Sequence, residues 1–175
     1  QEGACDYGDL ALEVVGRLRS DPELLAETRN LFRHMLVDEF QDTNLAQFEL
    51  VKLLCPECDH LCVVGDPNQS IYAFRGGKPE YMTKFETYYP LARTFRLDQN
   101  YRSGSAILTA ANQLIACNKD SDYLELKSVQ LSFEASIQAT EAATVEHEAE
   151  LIARRIHLLI SEPANNLWYG DIAIL

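Results

Sequence analysis

Apolar residues at Tyr7, Leu10, Ala11, Val14, Val15 and Leu18 recur at helical spacing and predict an amphipathic helix. Asp21-Pro22-Glu23 then supplies an N-cap and a first-turn proline for a second helix that ends near Arg33. Met35-Leu36-Val37 changes the pattern: a short apolar run stopped by Asp38-Glu39 predicts a buried parallel strand with acids at its carboxyl end. Thr43 or Asn44 can cap the next helix, in which Leu45, Phe48, Val51 and Leu54 share one face. Leu61-Cys62-Val63-Val64 repeats the strand pattern and runs into Gly65-Asp66-Pro67-Asn68, which is loop chemistry. Strand, acid, helix, strand, acid predicts an α/β fold. Downstream, the pattern predicts a strand at Thr94–Leu97 and a helix from about Ser103 to Cys117, with Ile107, Ala110, Ala111, Leu114 and Cys117 in register. An amphipathic helix around Val145–Ile160 and a final strand at Ile172–Leu175 complete the series.

With 175 residues, 47% hydrophobic and 24% charged, the chain can bury a core and suits one domain or parts of two. Its apolar runs stop after a few residues, where crossing a membrane takes roughly 18, so no membrane is expected among its partners. Gln1-Glu2-Gly3-Ala4-Cys5-Asp6 has no initiating Met, basic region or apolar region, so the chain is read as a fragment without a signal peptide. Five cysteines, an odd number with uneven spacing, favour a reducing intracellular setting: cytoplasm or nucleoid in a bacterium, nucleus in a eukaryote. The net charge of −12 argues against a protein whose whole surface grips phosphate. The acidity is concentrated, however, with eight acids against Lys127 alone between Asp120 and Glu150. Between Arg75 and Arg102 six basic residues face only Glu80, Glu86 and Asp98, which leaves an anionic partner a place to bind.

Three short blocks carry candidate chemistry. Val37-Asp38-Glu39-Phe40-Gln41-Asp42-Thr43 puts adjacent carboxylates at a strand mouth, where their side chains diverge. One acid can then hold Mg²⁺ while the other reaches a water aligned on a γ-phosphate. An Asp-Glu pair taken by itself also suits a solvated strand end. Gly65-Asp66-Pro67-Asn68-Gln69-Ser70-Ile71-Tyr72-Ala73-Phe74-Arg75-Gly76-Gly77 combines a loop, an amide, two aromatics two apart and an arginine. Such rings can stack bases regardless of sequence, or can anchor the loop to the core. Asn100-Tyr101-Arg102-Ser103, before a helix, offers a ring for a nucleobase and a guanidinium for a phosphate, or an ordinary helix cap with a surface arginine.

Together and in this order, the blocks resemble motifs II, III and IV of the UvrD/Rep/PcrA group of superfamily 1 DNA helicases. Asp6-Tyr7-Gly8-Asp9-Leu10 is similar to a family motif upstream of motif II, and Asp171-Ile172-Ala173-Ile174-Leu175 to a strand of the second motor domain. Residues 118–165 carry no motif. The resemblance implies a RecA-like P-loop NTPase fold, a parallel sheet flanked by helices, incomplete at both ends. Residues 1–92 would be the latter half of the first RecA-like domain and 93–175 the opening part of the second. It also implies ATP and Mg²⁺ as cofactors, single-stranded and duplex DNA as partners beside the remaining helicase domains, and 3′-to-5′ movement. Carried over by residue, Asp38 would hold Mg²⁺, Glu39 would be the general base and Gln69 would couple the γ-phosphate to DNA. Tyr72, Phe74 and Arg75 would contact single-stranded DNA, Tyr101 would stack on adenine and Arg102 would meet the γ-phosphate. Phe74 stands where many bacterial relatives have Trp.

The phosphate loop of such a motor, G-x-x-x-x-G-K-[ST], does not occur in the sequence, nor does the late arginine motif of the second domain. Two rivals follow: a non-catalytic DNA-binding or scaffold protein on the motor fold, and the helicase part of a recombination helicase–nuclease. Cys55, Cys58, His60 and Cys62 have a spacing that invites zinc, but His60 and Cys62 fall at the start of a strand, and buried thiols are the expectation. His34, His147 and His157 have no partner visible in the sequence and are expected to be structural or solvated.

Overall fold

A computed structural model describes residues 7–118, 124–129 and 136–175. Cys5, Asp6, Asp120, Asp122, Glu134 and the side chain of Cys58 lie outside the described residues. The chain divides into two compact units, residues 1–134 and 135–175.

The first unit opens with α1 (Tyr7–Ser20) and α2 (Pro22–Leu31). The Asp21 carboxylate accepts from the Leu24 N–H at 2.9 Å and starts α2 as expected. Strands β1 (Met35–Val37) and β2 (Leu61–Val63) pair in parallel, Met35 opposite Leu61 and Val37 opposite Val63. Helix α3 (Leu45–Leu54) connects them and begins in a capping box, Asn44 and Gln47 each bonding the other's backbone N–H. Helix α1 packs on α3 through the buried Val15 and Leu18, and Arg19 pairs with Glu49 across the two helices.

Phe40, Phe48, Val51 and Tyr81 form the buried centre, with Met35, Val37, Leu61 and Val63 packed against it from the sheet. The Phe48 and Tyr81 rings stack 4.1 Å apart at 8°, and Phe85 meets Phe40 edge-on. Tyr81 belongs to the short helix α4 (Glu80–Thr83) and Phe85 to α5 (Phe85–Tyr88). Beyond them come β3 (Gln99–Asn100), α6 (Ser105–Ala116) and β4 (Lys127–Ser128), with β3 and β4 parallel. Asn112 of α6 clamps the approach to β4, donating to the Leu126 carbonyl and accepting from its N–H. The second unit holds α7 (Val145–Ser161), capped by Thr144, and short turns at Pro163–Asn165 and Tyr169–Asp171. Helices with small parallel sheets place the chain in the α/β class.

Four expectations need correction. Leu36 is 76% exposed, because only the Met35 and Val37 face of β1 meets the core. Leu45 is likewise exposed at the first turn of α3, while Phe48 and Val51 are buried. Thr94–Leu97 is not a strand: among the described residues the parallel ladder begins at Gln99, opposite Lys127. Ile172–Leu175 is not a strand either: the Ile172 N–H turns back to the Tyr169 carbonyl, and among the described residues no strand pairs with the segment.

Candidate active site

Asp38 and Glu39 leave the end of β1 with exposed side chains. Asp38 Oδ1 accepts from the Glu39 N–H at 2.9 Å, closing a tight turn. Glu39 sits at φ 52°, ψ 40°, in the left-handed region that a residue with a Cβ enters at a cost of about 1–3 kcal/mol. The next residue supplies the anchor, for the Phe40 side chain is fully buried and its N–H bonds the Val64 carbonyl at 3.0 Å. The strained turn therefore rests on the core and presents its carboxylates outward.

Gln41 is 1% exposed and has both ends of its amide engaged. Nε2 donates to Glu39 Oε2 at 2.7 Å and more weakly to Asp42 Oδ2 at 3.5 Å. Oε1 accepts from the Asp66 N–H at 3.0 Å, across to the loop that follows β2. Asp66 in turn accepts from the Asn68 N–H through Oδ1 and from Gln69 Nε2 through Oδ2, at 3.0 and 2.8 Å. The same loop is fastened again where Ile71 N–H donates to Asp42 Oδ1 at 3.3 Å and Ser70 Oγ to the Gln41 carbonyl at 3.4 Å. Gly65 is required by close approach, since a Cβ there would collide with Gln41 Oε1.

Past Ile71 the chain turns at Ala73–Arg75 and closes on Gly76, whose φ of 81° suits glycine. Tyr72 is 39% and Phe74 78% exposed, so Phe74 is no core anchor. Their rings lie 5.9 Å apart at 44°, with the Arg75 guanidinium 5.5 Å from one centroid and 5.4 Å from the other. The Lys78 N–H donates to the Thr43 carbonyl at 3.1 Å and returns the loop to the turn after β1.

Tyr101 and Arg102 belong to a separate local assembly at the junction of β3 and α6. Asn100 Oδ1 accepts from the N–H groups of Arg102 and Ser103 at 3.0 and 2.8 Å, and both Tyr101 and Arg102 side chains are exposed. The Tyr101 hydroxyl donates to Gln99 Oε1 at 2.9 Å. The structure thus joins Asp38, Glu39 and Gln69 to the base of the Tyr72–Arg75 turn, and builds Tyr101 and Arg102 on other elements. Sequence reasoning gave Gln41 and Asp66 no role. Both stand inside the quoted blocks, but no periodicity marks an amide as buried.

The cysteine cluster also differs from expectation. Cys62 is exposed, on the face of β2 opposite Leu61 and Val63. Cys55 is half-buried with its Sγ 3.9 Å from Met35 Sδ, and burial pushes its thiol up despite the nearby Arg29. The His60 ring meets His34 edge-on at 5.3 Å. His147 Nδ1 lies 3.3 Å from the Ala143 N–H, and His157 Nε2 lies 3.4 Å from Ser161 Oγ.

Residues 1–90 match the UvrD/REP helicase N-terminal domain, and residues 95–175 match the UvrD-like helicase C-terminal domain. The chain belongs to the UvrD/REP helicase family. It is 41% identical over 172 residues to the ATP-dependent DNA helicase PcrA of Staphylococcus aureus strain Mu50, and 40% identical to PcrA of Staphylococcus epidermidis strain RP62A. These alignments cover 98% of this UvrD/REP chain and 23% of each relative. Within the UvrD/REP family matches, the carboxylate network lies in the N-terminal domain and Tyr101 and Arg102 in the C-terminal one.

Proposed function

We propose that this chain is part of an ATP-dependent DNA helicase or translocase moving 3′-to-5′, built from two RecA-like domains divided near residues 92 and 93. One observation carries the reading: hydrogen bonds run from the Glu39 carboxylate through Gln41 to Asp66 and Gln69, on the loop that leads into Tyr72, Phe74 and Arg75. A nucleotide end and a nucleic-acid end are thereby held by one short set of side chains. The name of the Staphylococcus relatives, ATP-dependent DNA helicase, agrees with it.

The residues present fit the implied cofactors. Mg²⁺ bound to ATP takes one or two carboxylates and fills its other positions with phosphate and water, so the exposed Asp38 suffices without a protein cage. When bound, the ion neutralises charge on the phosphates. Glu39, with one oxygen held by Gln41 and no hydrogen bond on the other among the described residues, would take the proton of an attacking water. Gln69 senses the γ-phosphate, Tyr101 stacks on adenine and Arg102 meets the γ-phosphate from the second domain. Phe74 and Tyr72 stack on the bases of single-stranded DNA, with Arg75 beside them for its phosphates. The rest of the helicase supplies the phosphate loop, and the protein works on duplex DNA inside the cell.

The test is Glu39→Gln in the full-length protein. Turnover should fall by about 10² or more while ATP affinity stays within about twofold, because a positioned base acts on the chemical step. Equal loss of binding and turnover would make Glu39 structural.

A further inference from the structure

We infer that Gln41 is a positioning residue that sets the Glu39 carboxylate and fastens it to the loop bearing Gln69. The inference rests on the reading of Glu39 as the general base. Its grounds are burial, geometry and strain. Gln41 is the largest fully buried polar side chain among the described residues, and every polar atom of its amide has a partner. An amide is the group this position requires: its NH₂ can donate to a carboxylate while its carbonyl accepts from a backbone N–H. Neither a carboxylate nor an alkyl chain of the same length does both.

The left-handed turn at Glu39 explains why a tether is needed. A glutamate on a strained, exposed turn has free rotamers, and a misplacement of about 1 Å can cost about 10²-fold in rate. The 2.7 Å bond from Gln41 fixes one carboxylate oxygen and leaves the other for the water. At its other end the amide grips the backbone of Asp66, and the Asp66 side chain holds Gln69. A shift of Gln69 therefore pulls on the same residue that orients Glu39, giving the nucleic-acid loop a mechanical route to the base. The missing Cβ at Gly65 makes room for this amide.

The experiment uses the full-length protein and two substitutions. Gln41→Glu keeps an acceptor for the Asp66 N–H but removes the donor to Glu39, and Gln41→Met keeps the length and removes both bonds. For either, kcat at saturating ATP should fall by about 10- to 100-fold. ATP affinity and single-strand affinity measured without nucleotide should stay near those of the parent. The melting temperature should fall in both variants, because Met leaves the Asp66 N–H without its acceptor and Glu sets a buried carboxylate against Glu39. Stimulation of ATPase by DNA should drop for both variants. Adding Gln41→Glu to Glu39→Gln should lower kcat no further, because a residue acting through Glu39 has nothing left to position. A parallel loss of kcat and ATP affinity in both single variants would overturn the inference. So would full activity in either, or an additive loss in the double variant. If Glu39→Gln alone leaves turnover intact, the reading of Glu39 fails instead. A collapse with Glu39→Gln beside normal Gln41 variants overturns only the positioning role.

Discussion

Two phenylalanines 26 positions apart show how differently one residue type serves this chain. Phe48 is buried and stacked on Tyr81, whereas Phe74 is 78% exposed with a guanidinium at its face. Phe74→Ala should therefore leave the melting temperature of the full-length protein and its basal ATPase nearly unchanged. It should weaken single-strand binding by about 1–3 kcal/mol. A destabilised protein with unchanged DNA affinity per folded molecule would return Phe74 to a structural role. The cysteines offer a second contrast, for the thiolate is the reactive form, and burial holds Cys55 back while Cys62 lies open. With each retained as the single cysteine, iodoacetamide at pH 8 should modify Cys62 several-fold faster than Cys55. Faster labelling of Cys55 would contradict its placement against Met35.

Among the elements, α3 has the largest structural duty, since it carries Phe48 and Val51 into the core and takes the packing of α1. Its start depends on the reciprocal bonds between Asn44 and Gln47. Asn44→Ala should destabilise the protein by about 1 kcal/mol, and Asn44→Asp or Asn44→Ser should restore most of that. Chemical denaturation of the three variants checks it, and an unchanged midpoint for Asn44→Ala would show that packing alone holds the helix start. The five longer helices among the described residues were legible in the sequence, and so were the caps at Asp21 and Asn44, which act within three residues of themselves; the four-residue helices α4 and α5 are too short to show a period. Of the strands, β1 and β2 were legible, whereas the paired two-residue strands β3 and β4 were not. Thr94–Leu97 alternates like a strand yet joins no ladder among the described residues, since strand formation needs neighbouring backbone that no local pattern supplies.

For the whole molecule the decisive feature is uneven charge. A chain of net charge −12 bears the exposed Arg75 and Lys78 next to its aromatic turn, so DNA affinity should combine stacking with phosphate contact. Raising salt from about 50 to 200 mM should weaken single-strand binding in the parent, and less so in an Arg75→Gln, Lys78→Gln variant, which releases fewer counterions. An identical salt slope in both would remove these cations from the DNA contact. The 175-residue chain by itself should show no DNA-stimulated ATPase, because no phosphate loop occurs in its sequence to cradle the β- and γ-phosphates. Turnover that survives repurification and disappears with Glu39→Gln would refute this.

Local chemistry was readable from the order of residues: the helix periodicity, the N-caps, the two short strands β1 and β2 and the three blocks that resemble helicase motifs. These signals lie within a few positions of one another, where backbone geometry links neighbours directly. Tertiary structure alone decided that Leu36 faces outward, that Cys62 is exposed and that Gln41 is buried between two loops. Each depends on what lies across space from it. Gln41 and Asp66 are 25 positions apart, and only the parallel pairing of β1 with β2 sets the ends of those strands side by side, where one amide can span them.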